Sequence, residues 1–354
     1  MKKSRKRDPL SKESESSLQA KAKASETSLS SSEKAPRKLP RATAQLGFFV
    51  AGALAWTLTG MALLEPVAGA YLLALPENYR ERIEAALDRG DAAGALAAFE
   101  AERRARPYNF AAVWLLADRA EASGDAALQR EALSAVFQSF EAFEAVRHRE
   151  VFAVGWSEGE ALRRVGRLML ALDRPEASRM AWDAAANADP AWTPAKLSAW
   201  LDALPREARM AWDAARDATL EAGSSAPPPR PAPERLLFPR DGRPETEVFP
   251  FYSRGVWEGA VPNALSGAQI MTLAARGTPA FEGWPCLLLS TDAGEALGFL
   301  RVNSVEWRVW EVKLLRPLQA GETLRLAYRN DLYDAKTKED RNAWVAWIAA
   351  SSSL

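Results

Sequence analysis

The segment from Arg329 to Asn342 gathers carboxylates and amides into a short loop between two apolar, strand-like runs, residues 323–328 and 343–348. Hard cations such as calcium take about six to eight oxygen ligands. Asp331 and Asp340, at the mouths of adjacent strands, would supply part of such a shell. Water or sugar hydroxyls would supply the rest. Asn330, Asp334 and Glu339 are further oxygen donors in the same loop. Asp and Asn are also ordinary loop residues, because their side chains bond nearby backbone and tolerate unusual dihedrals. The loop lacks the alternating ligands and sharp-turn glycine of an EF-hand, so a cation here requires a different scaffold. Tyr333 inside the loop and Trp344 just after it are the aromatic candidates for stacking on a sugar, and Trp344 reads equally well as core.

A wider pattern surrounds this loop. Leu273 to Ala280, Gly283-Trp284-Pro285, Val302 to Trp307, the turn at Ala320-Gly321-Glu322 and the Asn330 to Asn342 loop follow in order. In that order they resemble the calcium-dependent, xylan-binding type of carbohydrate-binding module. The resemblance spans about Gln269 to Ala350 and implies a β-sandwich, jelly-roll-like, with a cation at one end that meets vicinal sugar hydroxyls. It also implies Asp331 and Asp340 as the leading metal ligands. One position departs from it: Ala346 stands where members often carry an acidic residue.

Net charge is zero over 354 residues, yet residues 1–43 hold 12 Lys/Arg against 5 Asp/Glu. This stretch has few large apolar residues, so it reads as a disordered basic tail. Residues 46–64 then carry no charge at all. At 1.5 Å per residue the run just crosses a hydrocarbon core about 30 Å thick. Lys34, Arg37, Lys38 and Arg41 precede it, which places the N-terminal side in the cytoplasm by the positive-inside rule. The basic cluster Lys2 to Arg7 is accounted for by that flank rather than by nucleic acid. The expectation is a transmembrane anchor over 44–66 and a single-pass protein of the bacterial cytoplasmic membrane, its later domains periplasmic or extracellular. A signal peptide normally has a shorter charged region.

Residues 67–222 are rich in Ala, Leu, Glu and Arg with helical spacing. Arg179-Met180-Ala181-Trp182-Asp183-Ala184-Ala185 returns 30 residues later as Arg209 to Ala215. Such a period signals stacked helical hairpins that complete one another's cores. Gly90 as turn, Ala95 and Phe99 at a helix crossing and Pro107 after the second helix resemble the tetratricopeptide repeat. Asp173, Ser178, Trp182, Ala185 and Pro190 fit the same frame. Trp182, Trp192, Trp200 and Trp212 read first as helix-packing core. Arrays of this kind offer a surface to a protein partner.

Residues 223–234 are proline-dense and read as an extended spacer. Beyond them, residues 297–302, 307–314 and 322–328 alternate as strands between turn residues, which argues for a β-sandwich over 235–354. Trp257 and Trp284 read as loop residues. Cys286 is alone, so no intrachain disulfide forms, and it sits in an apolar run as a small core residue. His148 is the only histidine, which removes His-based zinc sites and the Ser-His-Asp triad. No phosphate loop, dinucleotide fingerprint or nucleophile elbow is present.

The expected fold is therefore a single transmembrane helix, a tetratricopeptide-like α-helical repeat array and an all-β sandwich of jelly-roll type. The expected function is non-enzymatic. A membrane-anchored envelope protein would bind a polysaccharide or other glycan through calcium and an envelope protein through its repeats, in surface polysaccharide assembly or organisation. The alternative is an interaction scaffold of an envelope complex whose β-domain binds nothing.

Overall fold

The computed structural model describes residues 78–149, 155–189, 194–215, 223–238, 248–281, 283–331, 333 and 336–351, all within one compact unit, residues 65–354. The basic tail, the apolar run 46–64 and Trp192 lie outside the described residues.

Helices come first and pair as antiparallel hairpins: α1 (Asn78–Asp88) with α2 (Ala92–Ala105), α3 (Phe110–Ser123) with α4 (Ala126–Val146), and α5 (Glu158–Ala171) with α6 (Pro175–Ala188). The shorter α7 (Pro194–Asp202) and α8 (Arg206–Ala214) follow. Local chemistry sets the boundaries. Gly90 and Gly124 turn the first two hairpins at φ of 71° and 70°, a conformation that is cheap only without a Cβ. Asp173 takes the same left-handed role in the third, and Pro175 then opens α6, where a missing N–H costs nothing. Asp91, Asp125 and Ser157 cap α2, α4 and α5 by accepting from backbone N–H groups of the first turn.

Three features tie neighbouring helices together. Ser178 donates its hydroxyl to the Gly166 carbonyl where α6 crosses α5, and a Cβ on Gly166 would sit 2.7 Å from the Trp182 ring. Trp182, Trp200 and Trp212 form a chain of rings, with centroids 4.7 Å and 5.5 Å apart. Ion pairs run across α1, α3 and α5: Glu84 with Arg119, Asp118 with Arg164, and Glu121 with Arg167.

The β-region holds two open antiparallel sheets. The first has the order β1-β9-β4-β7, with β2 on a second stretch of β9. Its strands are β1 (Leu236–Leu237), β2 (Phe249–Phe251), β4 (Ile270–Thr278), β7 (Arg308–Lys313) and β9 (Asn342–Ser351). The second sheet, ordered β3-β8-β5-β6, comprises β3 (Gly255–Ala260), β5 (Cys286–Thr291), β6 (Ala296–Arg301) and β8 (Thr323–Tyr328). Leu273, Val345 and Ile348 from the first sheet share one core with Leu288, Phe299 and Leu326 from the second. The β4–β9 register shifts between Ala274 and Ala275, leaving Ala346 without a partner on β4. This bulge turns Trp347 and Ala349 outward against Leu236, Ala274 and Val309, while Val345 and Ile348 stay inside.

The proline-rich stretch lies against that outward cluster. Ser224 exchanges both backbone hydrogen bonds with Trp307, and the Trp347 indole N–H donates to the Pro228 carbonyl at 3.1 Å.

The expected fold class is corrected here in two respects. Among the described residues no helix is long and apolar enough to cross a membrane. The 21-residue α4 has the length, but Arg130, Glu131, Glu141 and Glu144 interrupt it, and its buried face packs against protein. The expected anchor over 44–66 lies outside the described residues, so no described helix supports the membrane anchor, the single-pass topology, the envelope location or the membrane-bound function, and none of them is carried further.

The β-region also departs from the expected all-β, jelly-roll-like sandwich. Both sheets are open, and the second is covered by helices: every residue of β6 is buried. Ser134 of α4 accepts from the Ala296 N–H at 3.0 Å, and Arg174 donates to the Leu314 carbonyl at 2.7 Å. One continuous apolar cluster runs from Ile83 in α1 to Ala350 in β9. A strand buried on both faces needs a second layer, and helices supply it.

Candidate functional site

The loop end of the β-region is built around Arg341, which is 3 % exposed. Its guanidinium donates to the Asn330 carbonyl at 2.6 Å and to the Ala280 carbonyl at 3.2 Å, and it lies 3.6 Å from Glu158 at the start of α5. Gly283 makes room for it, since a Cβ there would lie on the guanidinium. Tyr328 donates its hydroxyl to the Arg341 carbonyl, and burial pushes that phenol well above its ordinary range. The loop before β9 is thus clamped to the β4–β5 loop and to the helices.

Asn330 is committed inside this clamp. Its Oδ1 accepts from the Cys286 N–H at 2.6 Å and its Nδ2 donates to the Trp284 carbonyl at 2.8 Å. Both ends of the amide serve the fold, which leaves Asn330 a structural rather than a metal-facing role. Glu339 is likewise engaged, accepting from the Phe281 N–H at 2.9 Å. The flanking Lys338 and Phe281 both have positive φ, 64° and 48°. Residues with a Cβ reach that region only at a cost. Phe281 projects outward, 51 % exposed.

Asp331 and Asp340 come together. The Asp331 carboxyl is raised above the usual carboxylate range, first by burial and next by the Asp340 charge. Arg254, Arg341 and Arg147 pull the other way. Asp331 Oδ1 is buried and has no hydrogen-bond partner among the described residues. Asp340 is fixed by its surroundings: Thr278 donates to its carbonyl at 2.7 Å and Asn342 donates to its carboxylate at 3.0 Å. Tyr333 pairs with Asp340 through a β-bridge and is 56 % exposed. Asp334 lies outside the described residues. Among those residues no group of three or more His, Cys, Asp and Glu is placed to hold a metal ion. The chain thus offers a cation two carboxylates, one with an oxygen that nothing else satisfies. Further ligands would have to be backbone carbonyls, water or a bound molecule.

Trp344 is not in this loop end. It lies two residues along β9 from Asn342, on the outer face of the first sheet, edge-on to the exposed Tyr252 at 6.0 Å. Trp257 belongs to β3, not to a loop, and stacks on Phe249 at 4.8 Å. Ala346 sits on the same outer face as Trp347. Cys286 is buried and its thiol is pushed up to about 12, mainly by burial.

Sequence reasoning did not find Arg341, Glu158 or Arg254 at this site. Glu158 and Arg254 come from segments far apart in sequence: α5 docks on the loop end to bring in Glu158, and Arg254, between β2 and β3, is paired with Glu144 of α4. A second ion-paired set lies close by: Glu141 of α4 bonds both Arg325 and Arg329, and Glu144 meets Arg254. Elsewhere, a cavity of about 320 Å³ between α2, α3 and α4, lined by Phe99, Phe110 and Val113, shares no residue with the loop end.

Compared with known proteins, the chain matches no family model, no curated protein and no solved structure.

Proposed function

We propose that this chain is a non-catalytic binding protein whose loop end takes a calcium ion between Asp331 and Asp340 and, through that ion, the hydroxyls of a carbohydrate. The observation that carries this reading is the carboxylate pair. The fold holds two like charges together and leaves the buried Asp331 Oδ1 without a partner. A divalent cation satisfies that oxygen and removes the repulsion at once. Calcium fits better than a softer metal because the donors are all oxygen. Tyr333, bridged to Asp340, and Phe281, whose N–H bonds Glu339, are exposed at the same loop end and offer apolar rings to a sugar.

The chain's own residues have simple tasks in this reading. Arg341, Tyr328 and Thr278 hold the loop so that the carboxylates do not drift apart. The bound ion contributes charge and open coordination positions for vicinal hydroxyls.

Calorimetric titration of calcium into the full chain, followed by a neutral xylo-oligosaccharide, tests the proposal. Saturable calcium binding that disappears in an Asp331→Asn/Asp340→Asn variant, with sugar binding lost in EDTA, is the expected result. Sugar binding that is indifferent to calcium, or no binding of either, overturns it.

A further inference from the structure

The outer face of the first sheet holds an arginine in an unusual setting. Arg276 lies on β4 between Trp344 of β9 and Trp307 just before β7. Its guanidinium carbon is 5.1 Å from the Trp307 ring centroid and 5.0 Å from that of Trp344. Two indole faces therefore flank one cation, and each attracts it. Among the described residues it has neither a hydrogen bond nor an ion pair, and its Nε is buried and unpartnered. The other arginines around the loop end have such partners: Arg341 has two carbonyls and Glu158, Arg254 has Glu144, and Arg329 has Glu141.

Flanking rings fix a guanidinium in position without consuming its N–H groups. That is the state of a donor fork prepared for a planar, two-oxygen acceptor. Sequence register places this fork beside the loop end. Arg276 pairs with Trp344, and the next outward row pairs Thr278 with Asn342, both of which bond Asp340. Two residues of strand separate the rows, about 7 Å. Tyr252, 62 % exposed, borders the same patch through Trp344.

We infer that Arg276, clamped between Trp307 and Trp344, binds the carboxylate of an acidic glycan, a uronate-bearing chain whose hydroxyls occupy the Asp331/Asp340 end. The inference rests on the calcium-dependent carbohydrate reading above and adds the ligand class. The flat aromatic surround suits a sugar ring. The lone guanidinium selects the sugar that carries a charge.

The test compares two ligands on the full chain in calcium: a xylo-oligosaccharide with one glucuronate branch, and the same oligosaccharide without it. The branched ligand should bind at least ten-fold more tightly, with a preference that weakens as salt rises. Arg276→Gln should abolish the preference, while saturable calcium binding and an unchanged melting temperature show that the variant is folded. Arg276→Lys, which keeps the charge but loses the planar fork, should retain only part of it. A preference that survives Arg276→Gln, or equal affinity for both ligands in the intact chain, overturns the role of Arg276 while leaving the calcium-dependent reading standing. Failure of the intact chain to bind either sugar overturns both.

Discussion

Replacing Asp340 by Asn distinguishes a carboxylate pair kept for a ligand from one kept for the fold. Without a cation, the native state holds two like charges together that the unfolded chain keeps apart. Two unit charges about 5 Å apart repel by about 3 kcal/mol at an effective dielectric constant near 20. Asp331 and Asp340 both retain some contact with solvent, and Arg254, Arg341 and Arg147 offset part of the repulsion. Screening reduces the net cost to about 1 kcal/mol. The amide substitute still offers an oxygen to Asn342, and the Asp340 backbone carbonyl still accepts from Thr278.

The sign follows from linkage. Asp331 is raised in the native state, so the native protein holds that proton more tightly than the unfolded chain does. Stability is then greatest on the acid side and falls as pH rises from about 4 through the raised native value. Asp340→Asn removes one source of the rise. In EDTA at pH 7 the variant should therefore melt roughly 2–4 °C above the parent. Calcium at a hundred times its dissociation constant should stabilise the parent by about 2.7 kcal/mol and the variant hardly at all. Scanning calorimetry at pH 5 and pH 7, with and without calcium, reads all of this. A variant less stable than the parent in EDTA, or a calcium shift equal in both proteins, would show that the carboxylate pair is kept for the fold rather than for a cation.

Two further predictions concern the junction between helices and sheets. Glu158 is raised mainly by burial, against the charges of Arg341 and Arg254 and a side-chain hydrogen bond to Asn330, so its contribution also falls as pH rises above about 4.5. Glu158→Gln should flatten the decline in stability between pH 5 and pH 7, measured by urea denaturation; an unchanged slope would show that the carboxylate carries no such cost. Ser134→Ala removes the partner of the buried Ala296 N–H, at a cost of about 1–3 kcal/mol. The denaturation midpoint should drop while the transition remains single, and an unmoved midpoint or a split transition would contradict one continuous core.

The sequence made local structure legible. The turn expected at Gly90 is a left-handed turn, and Trp182 and Trp212 are buried. Strands expected over 297–302 and 322–328 occupy 296–301 and 323–328. These features depend on backbone preference and alternation over a few residues, which a sequence displays directly. What it concealed depends on register and docking. Nothing in Leu297-Gly298-Phe299-Leu300 says that helices cover its outer face. The bulge at Ala346 and the meeting of Arg276 with two tryptophans follow from pairings between strands distant in sequence. Asn330 had the right chemistry for a cation, but its amide is consumed by the backbone of the neighbouring loop. The carboxylate pair was visible as a pair only because both members flank one loop.

The position of β9 has a consequence for how the protein is made. This strand pairs with β1, β2 and β4, so it lies inside the first sheet although it follows every other described strand in sequence. Each helical hairpin can close on contacts between near neighbours as soon as it leaves the ribosome. The first sheet cannot. At about 5–20 residues per second, β4 waits several seconds for its partner, with apolar Leu273 and Ala275 unsealed and one edge open. During that interval helices α4 and α6 already present the surface on which β6 will lie. The helical layer that covers the second sheet is thus complete in sequence before the first sheet has its central strand.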